Sequence, residues 1–326
     1  MTERLTVLQG VQIGVESTPG GSVVCNKRLQ SMDLSPNIRT NTRQFRPLGN
    51  KYVAITSVDQ EWSEATITGQ ATYTEIIYPF ASVYSTGSCT FSGSNIRTWV
   101  TESSGSSADT TKTFTVEQGY GSDVHKSVYN FIPDFVVEYS RTGGVTINGK
   151  MIGQTISTSG SAMDNASAIE LVPVTADQVD IYVDTAGSSL GTTKLTRVMS
   201  AAYGKTNSQT PLWTLNSSNT SFALPVEAVP QTVFRIKLEV DTVGKAFIDD
   251  MRAETTKFFR IKSTGPLIET TTYYLLQLDA AVKWISIADF SDQDGVFATE
   301  FTGVWVHDST WGHSNLQTVV NKIGSL

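Results

Sequence analysis

The residues that could carry chemistry are few and poorly placed for it. His307 and His313 stand six apart with Asp308 between them, a spacing that neither a strand nor a helix turns into a neat metal pair. The remaining histidine, His125, precedes a strand pattern and reads as exposed. Asp249-Asp250 and Asp292–Asp294 are paired carboxylates, the first on a helix face and the second in a turn. An ion in the Asp292-Gln-Asp-Gly turn is conceivable on residue type, but the ligand spacing of an EF-hand is missing. Cys25 and Cys89 have no adjacent His or basic cluster that would hold a reactive thiolate. No Walker phosphate loop occurs, and Gly119-Tyr-Gly121 lacks a third glycine and a following helix. The expectation is a chain that is not an enzyme, with no catalytic residue, no cofactor and no metal.

Composition points the same way. The chain has 326 residues and a formal charge of −7, from 24 basic and 31 acidic residues. That charge, with no Lys/Arg run, argues against a dedicated nucleic-acid binder. Only 17% of residues are charged, yet fourteen Phe, eleven Tyr and six Trp can build a core, so disorder is excluded. No stretch approaches a membrane span, the start carries no signal-peptide apolar run, and two cysteines make no disulfide scaffold. The expectation is a soluble protein made in a reducing cytoplasm, without a membrane partner. Abundant Ser, Thr and Val with Gly and Pro punctuation lean it toward β structure.

The elements recur along the chain. Val11, Ile13 and Val15 fall on Val179, Ile181 and Val183 at a shift of 168, and Lys27 to Met32 on Lys194 to Met199 at 167. Ala65, Ile67, Gly69 and Ala71 alternate with Glu64, Thr66, Thr68 and Gln70, a half-buried strand with one polar face. Phe234, Ile236, Leu238 and Val240 repeat that alternation at a shift of 169. Each strand runs into a helix start: a capping box at Thr72-x-x-Glu75, and Asp241 as N-cap. Tyr73, Ile76, Ile77, Phe80 and Tyr84 form one apolar stripe, shortened or kinked at Pro79; Val243, Ala246, Phe247 and Met251 form the other. Tyr129 to Tyr139 and Tyr274 to Trp284 alternate alike at a shift of 145, the drop being the Ser/Thr/Gly-rich insertion 85–111. Final strands are expected at Val145–Ile152 and Val296–Val306. The expectation is a mainly β chain of two tandem domains, 1–155 and 169–326, joined by a linker at 156–168. Each would be a β-sandwich or barrel with one short flanking helix. The stretches 35–60 and 207–231 have little core pattern and read as projecting hairpins that meet a partner.

This arrangement resembles the major tail tube protein of long-tailed bacteriophages. Gln12-Ile-Gly-Val-Glu-Ser-Thr-Pro-Gly20, the segment Glu61 to Tyr78, Phe290-Ser-Asp-Gln-Asp-Gly-Val-Phe-Ala-Thr-Glu-Phe301 and Val306-His-Asp-Ser-Thr-Trp-Gly312 carry the likeness in combination and order, over nearly the whole chain. The resemblance implies six tube domains closing a ring whose inner sheets join into one barrel, and rings stacking into a hollow conduit in the virion, assembled in the host bacterial cytoplasm. A duplicated chain would form a trimeric, pseudo-hexameric ring; an unduplicated one would form a hexamer. The implied partners are further copies of the chain, the tape-measure protein, the tail terminator and distal tail proteins, and phage DNA passing through without specific binding. Arg39, Arg43, Arg46, Lys51 and Trp213 are the candidate contacts between rings, because Arg and aromatics suit an interface core. Glu64, Thr66, Thr68 and Gln70 are candidates for the lumen wall, which must not hold phosphates. A carbohydrate-binding or adhesive β-sandwich is the alternative, since Trp and Tyr on sheets also make sugar platforms. A glycan-degrading enzyme is disfavoured by the lack of an acid pair.

Overall fold

The computed structural model describes residues 8–92, 95–121, 123–158, 162–217, 219–240, 242–293 and 295–326. Strands dominate, as the alternating Val, Ile, Thr and aromatic runs predict. The first part of the chain carries β1 (Gly10–Val15), β2 (Lys27–Leu29), β3 (Met32–Asp33), β4 (Asn37–Phe45), β5 (Ile55–Gln70), helix α1 (Ile77–Val83), β6 (Ser85–Ser92) and β7 (Ile96–Glu102). It continues through β8 (Phe114–Tyr120), β9 (Asp123–Ser140), β10 (Gly144–Gly153), β11 (Ile156–Ser157) and β12 (Ser167–Ala168). There follow β13 (Val179–Asp184), β14 (Lys194–Leu195), β15 (Val198–Thr206), β16 (Gln209–Leu212), β17 (Leu224–Glu227), β18 (Gln231–Glu239) and helix α2 (Thr242–Arg252). The last strands are β19 (Lys257–Glu269), β20 (Thr272–Ile287), β21 (Ser291–Gln293), β22 (Val296–Trp305) and β23 (Asn315–Asn321).

One run of eight strands organises the molecule: β3, β5, β10, β9, β15, β18, β22 and β20, each antiparallel to the next. A single rung can be followed across all eight: Met32, Gly69, Ile147, Val137, Tyr203, Phe234, Gly303 and Trp284. The side chains of this rung are buried. Its two glycines have a reason. A Cβ at Gly69 would sit 2.2 Å from the Ser31 carbonyl oxygen, and one at Gly303 would sit 2.3 Å from Val282.

Two further layers cover this face. β2, β1, β8 and the first part of β9 form one; β14, β13, β19, β20, β23, β7 and β6 form the other. β9 and β20 therefore pass from one layer to the next. On β9 the corner falls at Tyr129, whose φ of 56° lies in the left-handed region and whose N–H is held by the buried Glu16 carboxylate at 2.8 Å. The pairings of β1 recur at β13. Ile13 lies opposite Val116, and Ile181 opposite Ile261, while β2 and β14 each add an antiparallel edge. The main hydrophobic core runs through residues of both parts, from Ile13 to Ile323.

Four local expectations change. The first helix starts at Ile77 rather than behind Thr72. Thr72 Oγ1 does accept the Glu75 N–H at 3.0 Å. The Glu75 carboxylate, however, does not return to Thr72; it accepts the N–H groups of Gln30, Ser31 and Met32, which draws residues 73–76 into turns. Every residue of α1 is buried, so its stripe is its whole surface. In α2, Ala246 is exposed and Gly244 and Phe247 face inward; Asp241 and the Val243 side chain lie outside the described residues. The insertion 85–111 is not a plain loop. β6 and β7 form a hairpin, and β7 pairs with β23 over Arg97 to Glu102. Finally, β22 is not the last strand, because β23 follows it.

Candidate functional site: a polar sheet face and two open edges

Side chains alternate across a sheet, so the rung beside the buried one must point away from the core. That rung reads Gln70, Thr146, Glu138, Ala202, Arg235, Thr302 and Ser286. Glu64, Thr66, Thr68 and Gln70 all lie on this face, and all but the half-buried Glu64 are exposed. Arg235 and Lys237 lie on it too. The Arg235 guanidinium stands 3.4 Å from Glu138, and Lys237 is directly opposite Glu300 in the strand register. Lys150 reaches Glu64 at 3.1 Å. The face is thus polar, with Arg235, Lys237 and Lys150 each set beside a carboxylate rather than gathered into a basic stripe for phosphates.

Glu64 is the best-determined charge on it. Burial alone would raise its pKa. The Trp62 indole N–H at 3.0 Å, then Lys150 and Arg39, outweigh burial and hold the carboxyl below its ordinary value. A depressed folded pKa contributes stability above the unfolded value and loses it as pH falls through the folded one. Glu64→Gln should therefore lower the melting temperature near neutral pH, by an effect of about 1 kcal/mol or less. The variant and parent curves should converge in acid. Parallel curves at every pH would contradict the assignment.

The run of eight strands has two open edges. β9 is joined to β10 on one side and, from Phe135 to Ser140, to β15 on the other. The corresponding stretch of β20 after Val282 pairs with β22 only, and no described strand takes its other side. At the far end β3 and β4 pair with β5 alone. Apolar side chains are exposed at both edges: Ile38 beside β3, and Ile285, Phe290 and Phe297 around the end of β20. Edges of this kind are templates for further pairing unless something blunts them.

Beyond its edge, β4 continues with β5 as a two-stranded hairpin. β10 leaves β5 at Ser63 and the Glu61 N–H bonds the Thr220 carbonyl, so residues 55–60 project about 20 Å past the body at 3.3 Å per residue. Stretch 35–60 is therefore paired structure, in keeping with a projecting hairpin. Arg39 and Arg43 lie along its stem, paired with Glu64 and Asp59; Arg46 and Lys51 lie at its exposed tip with Leu48 and Tyr52. Trp213 is elsewhere. The hairpin of β16 and β17 folds back, and the Trp213 ring meets Trp62 and Phe222 at 5.7 and 6.1 Å in a small second core with Phe131. The signal for that return is Phe222, a fully buried ring that opens the apolar run from Phe222 to Val226.

The chemistry-bearing residues do not converge. His313 Nδ1 meets Glu102 at 2.5 Å, while His307 packs near Gly105. Asp249 pairs with Arg252, and Asp250 with Lys257. Asp292 accepts the Gly295 N–H, and Asp294 lies outside the described residues. The one group of potential metal ligands among the described residues is Cys25, Glu117 and Asp164. Lys126 already supplies a cation there, 2.9 Å from Glu117 and 3.7 Å from Asp164. Burial, then the Glu117 charge, pushes the Cys25 thiol up, so it is held as a neutral thiol.

No protein-family model matches the chain, and no curated protein matches it. Among the described residues no helix is long and apolar enough to cross a membrane.

Proposed function

We propose that this chain is a structural, self-assembling subunit of a bacteriophage tail tube, built from two tandem copies of one tube domain and closing as a ring of three. The observation that carries the reading is the junction of β9 with β15. There the sheet of the first copy continues into the sheet of the second by backbone pairing over six residues of β9. The open edge of β20 repeats the edge of β9, and the open edge at β3 and β4 repeats that of β15. The same pairing, made between chains, closes a barrel and removes both edges. The polar face, carrying Glu64, Thr66, Thr68 and Gln70, lines the lumen, where matched charges let DNA pass after the tape-measure protein. Arg46, Lys51 and the rest of the projecting hairpin contact the next ring; Trp213 serves the chain's own packing instead.

Ile285→Asp puts a charge on the open edge of β20. The variant should keep its melting temperature and far-UV spectrum but form neither rings nor tubes under negative stain, where the parent forms hollow tubes at high concentration. A parent that stays monomeric at every concentration, or a variant that assembles as well as the parent, would sink the reading.

A further inference from the structure

Cys25 and Cys89 are both free, so no disulfide ties the two parts of the chain together. One contact between the parts holds the reactants for a different covalent tie. Lys205 Nζ of β15 stands 2.9 Å from Oδ2 of Asp109, in the stretch between β7 and β8, and both side chains are almost fully buried. An amine and a carboxyl held this way are the two halves of an amide.

The two oxygens of Asp109 have different surroundings. Oδ2 faces the amine. Oδ1 accepts the Ser104 N–H at 2.8 Å and the Ser85 hydroxyl at 3.1 Å. The Ser85 oxygen is itself oriented by the Thr110 N–H, which it accepts at 2.8 Å, leaving its own proton for Oδ1. Donors placed there stabilise the negative charge that gathers on Oδ1 when a nucleophile adds to Cγ. The Asp109 N–H is held by the Glu227 carboxylate at 2.9 Å. On the other side, Nζ donates to the Ser103 hydroxyl at 2.9 Å and lies 5.2 Å over the Tyr84 ring. Each reactant is thus fixed from its own side, and well-oriented intramolecular pairs reach effective molarities of about 10⁵–10⁸ M. Beside the pair lies a cavity of about 200 Å³, walled by Val83, Ala108, Pro225 and Glu227, with room for a released water. There is a driving force as well. A buried ion pair carries the desolvation cost of two charges, and an amide in its place carries none.

We infer that Lys205 and Asp109 join, after folding, in an amide between Nζ and Cγ that covalently links the two parts of the chain. Two of the three ammonium protons pass to Oδ2. The lone pair so freed on Nζ forms the bond to Cγ, the Cγ–Oδ2 bond breaks, and Oδ2 leaves with both protons as water. Oδ1 stays on its two donors as the amide oxygen. Nothing is oxidised or reduced, and no other reactant is consumed. The ion pair is the state of the newly folded chain and the amide is its product. The tie spans 96 positions, so it restricts the unfolded chain as a disulfide across such a loop does, yet a reducing solution leaves it intact. The inference stands independently of the tube reading.

The test uses the full chain, folded and held at neutral pH, then denatured for intact mass measurement. A species lighter than the sequence by one water should accumulate with time. Protein kept in urea throughout should stay at full mass. A tryptic digest should yield a branched peptide that joins residues 98–112 to residues 198–235, the second uncleaved after Lys205. Folded protein that remains at full mass would overturn the inference. So would a water loss confined to an unbranched peptide, such as a cyclised Asp294-Gly295. Lys205→Arg keeps the cation without the reacting amine and should show neither the water loss at this site nor the branched peptide; either one persisting would also overturn it. The parent's own mass and digest decide the matter even where that variant does not fold.

Discussion

Asp109→Ala should cost about 3–5 kcal/mol of folding stability, the loss expected when one partner of a buried ion pair is removed. Lys205 and Asp109 meet at 2.9 Å with only 3% and 4% of their side chains exposed. The ammonium also donates to Ser103 at 2.9 Å and lies 5.2 Å over the Tyr84 ring. Asp109 belongs to the insertion between α1 and β8, and Lys205 to β15, so the pair clamps one part of the chain onto the other. Without the carboxylate, the buried ammonium keeps Ser103 and the Tyr84 ring but loses its ion-pair partner, Glu227 being the other carboxylate lining the same pocket. Urea denaturation followed by tryptophan fluorescence measures the loss. Lys205→Met combined with Asp109→Leu removes both charges and should recover most of it. A single-variant loss under about 1 kcal/mol, the range of exposed pairs, would mean that water reaches the site.

Phe135→Ala should be comparably severe, about 3–5 kcal/mol, through lost burial and the cavity left behind. Phe135 is fully buried and stands edge-on to Phe80 of α1 at 5.7 Å. Its backbone lies opposite Gly149 on one side and Lys205 on the other, at the junction of β9 and β15. The neighbourhood cannot collapse easily. A Cβ at Gly149 or Gly204 would already stand 2.3 or 2.2 Å from the carbonyls of Asp134 and Phe135. Because one core serves both parts, calorimetry should show one transition moving down as a whole. Two transitions with only the lower one shifted would show the parts to be independent.

Much of this was legible where burial follows the alternation of residue types. β5, β9, β18 and β20 show their apolar period of two in the sequence, and so does the polar face from Glu64 to Gln70. β23 was hidden for the opposite reason. Its inward residues include Asn315, Gln317 and Asn321, which read as surface. They are buried because partners distant in sequence satisfy them. Asn321 takes the Trp99 indole N–H and donates to the Tyr73 carbonyl, and Gln317 bonds Thr101 and Tyr203. The same contacts hide the role of the insertion, whose inner face is Trp99 and Thr101 among Ser and Thr. Composition also gave no clue that Arg235 would find Glu138, 97 positions away. The start of α1 misled because Glu75 had a better offer than its cap: three backbone N–H groups of the segment at 30–32.

The insertion has a kinetic consequence. β6 and β7 leave the first part of the chain and complete a sheet of the second, crossing the junction of β9 and β15, while the second part has no such segment to give in return. In the proposed ring, half of the junctions are therefore made inside a chain, at an effective concentration set by the tether rather than by the solution. They are then fastened by Asp109, Trp99 and Asn321. The other half form by collision and lack that fastening. Such a ring has two bond orders around its circumference. It should nucleate slowly, with a threshold set by the weaker bonds, and under load it should part into whole chains rather than into single domains.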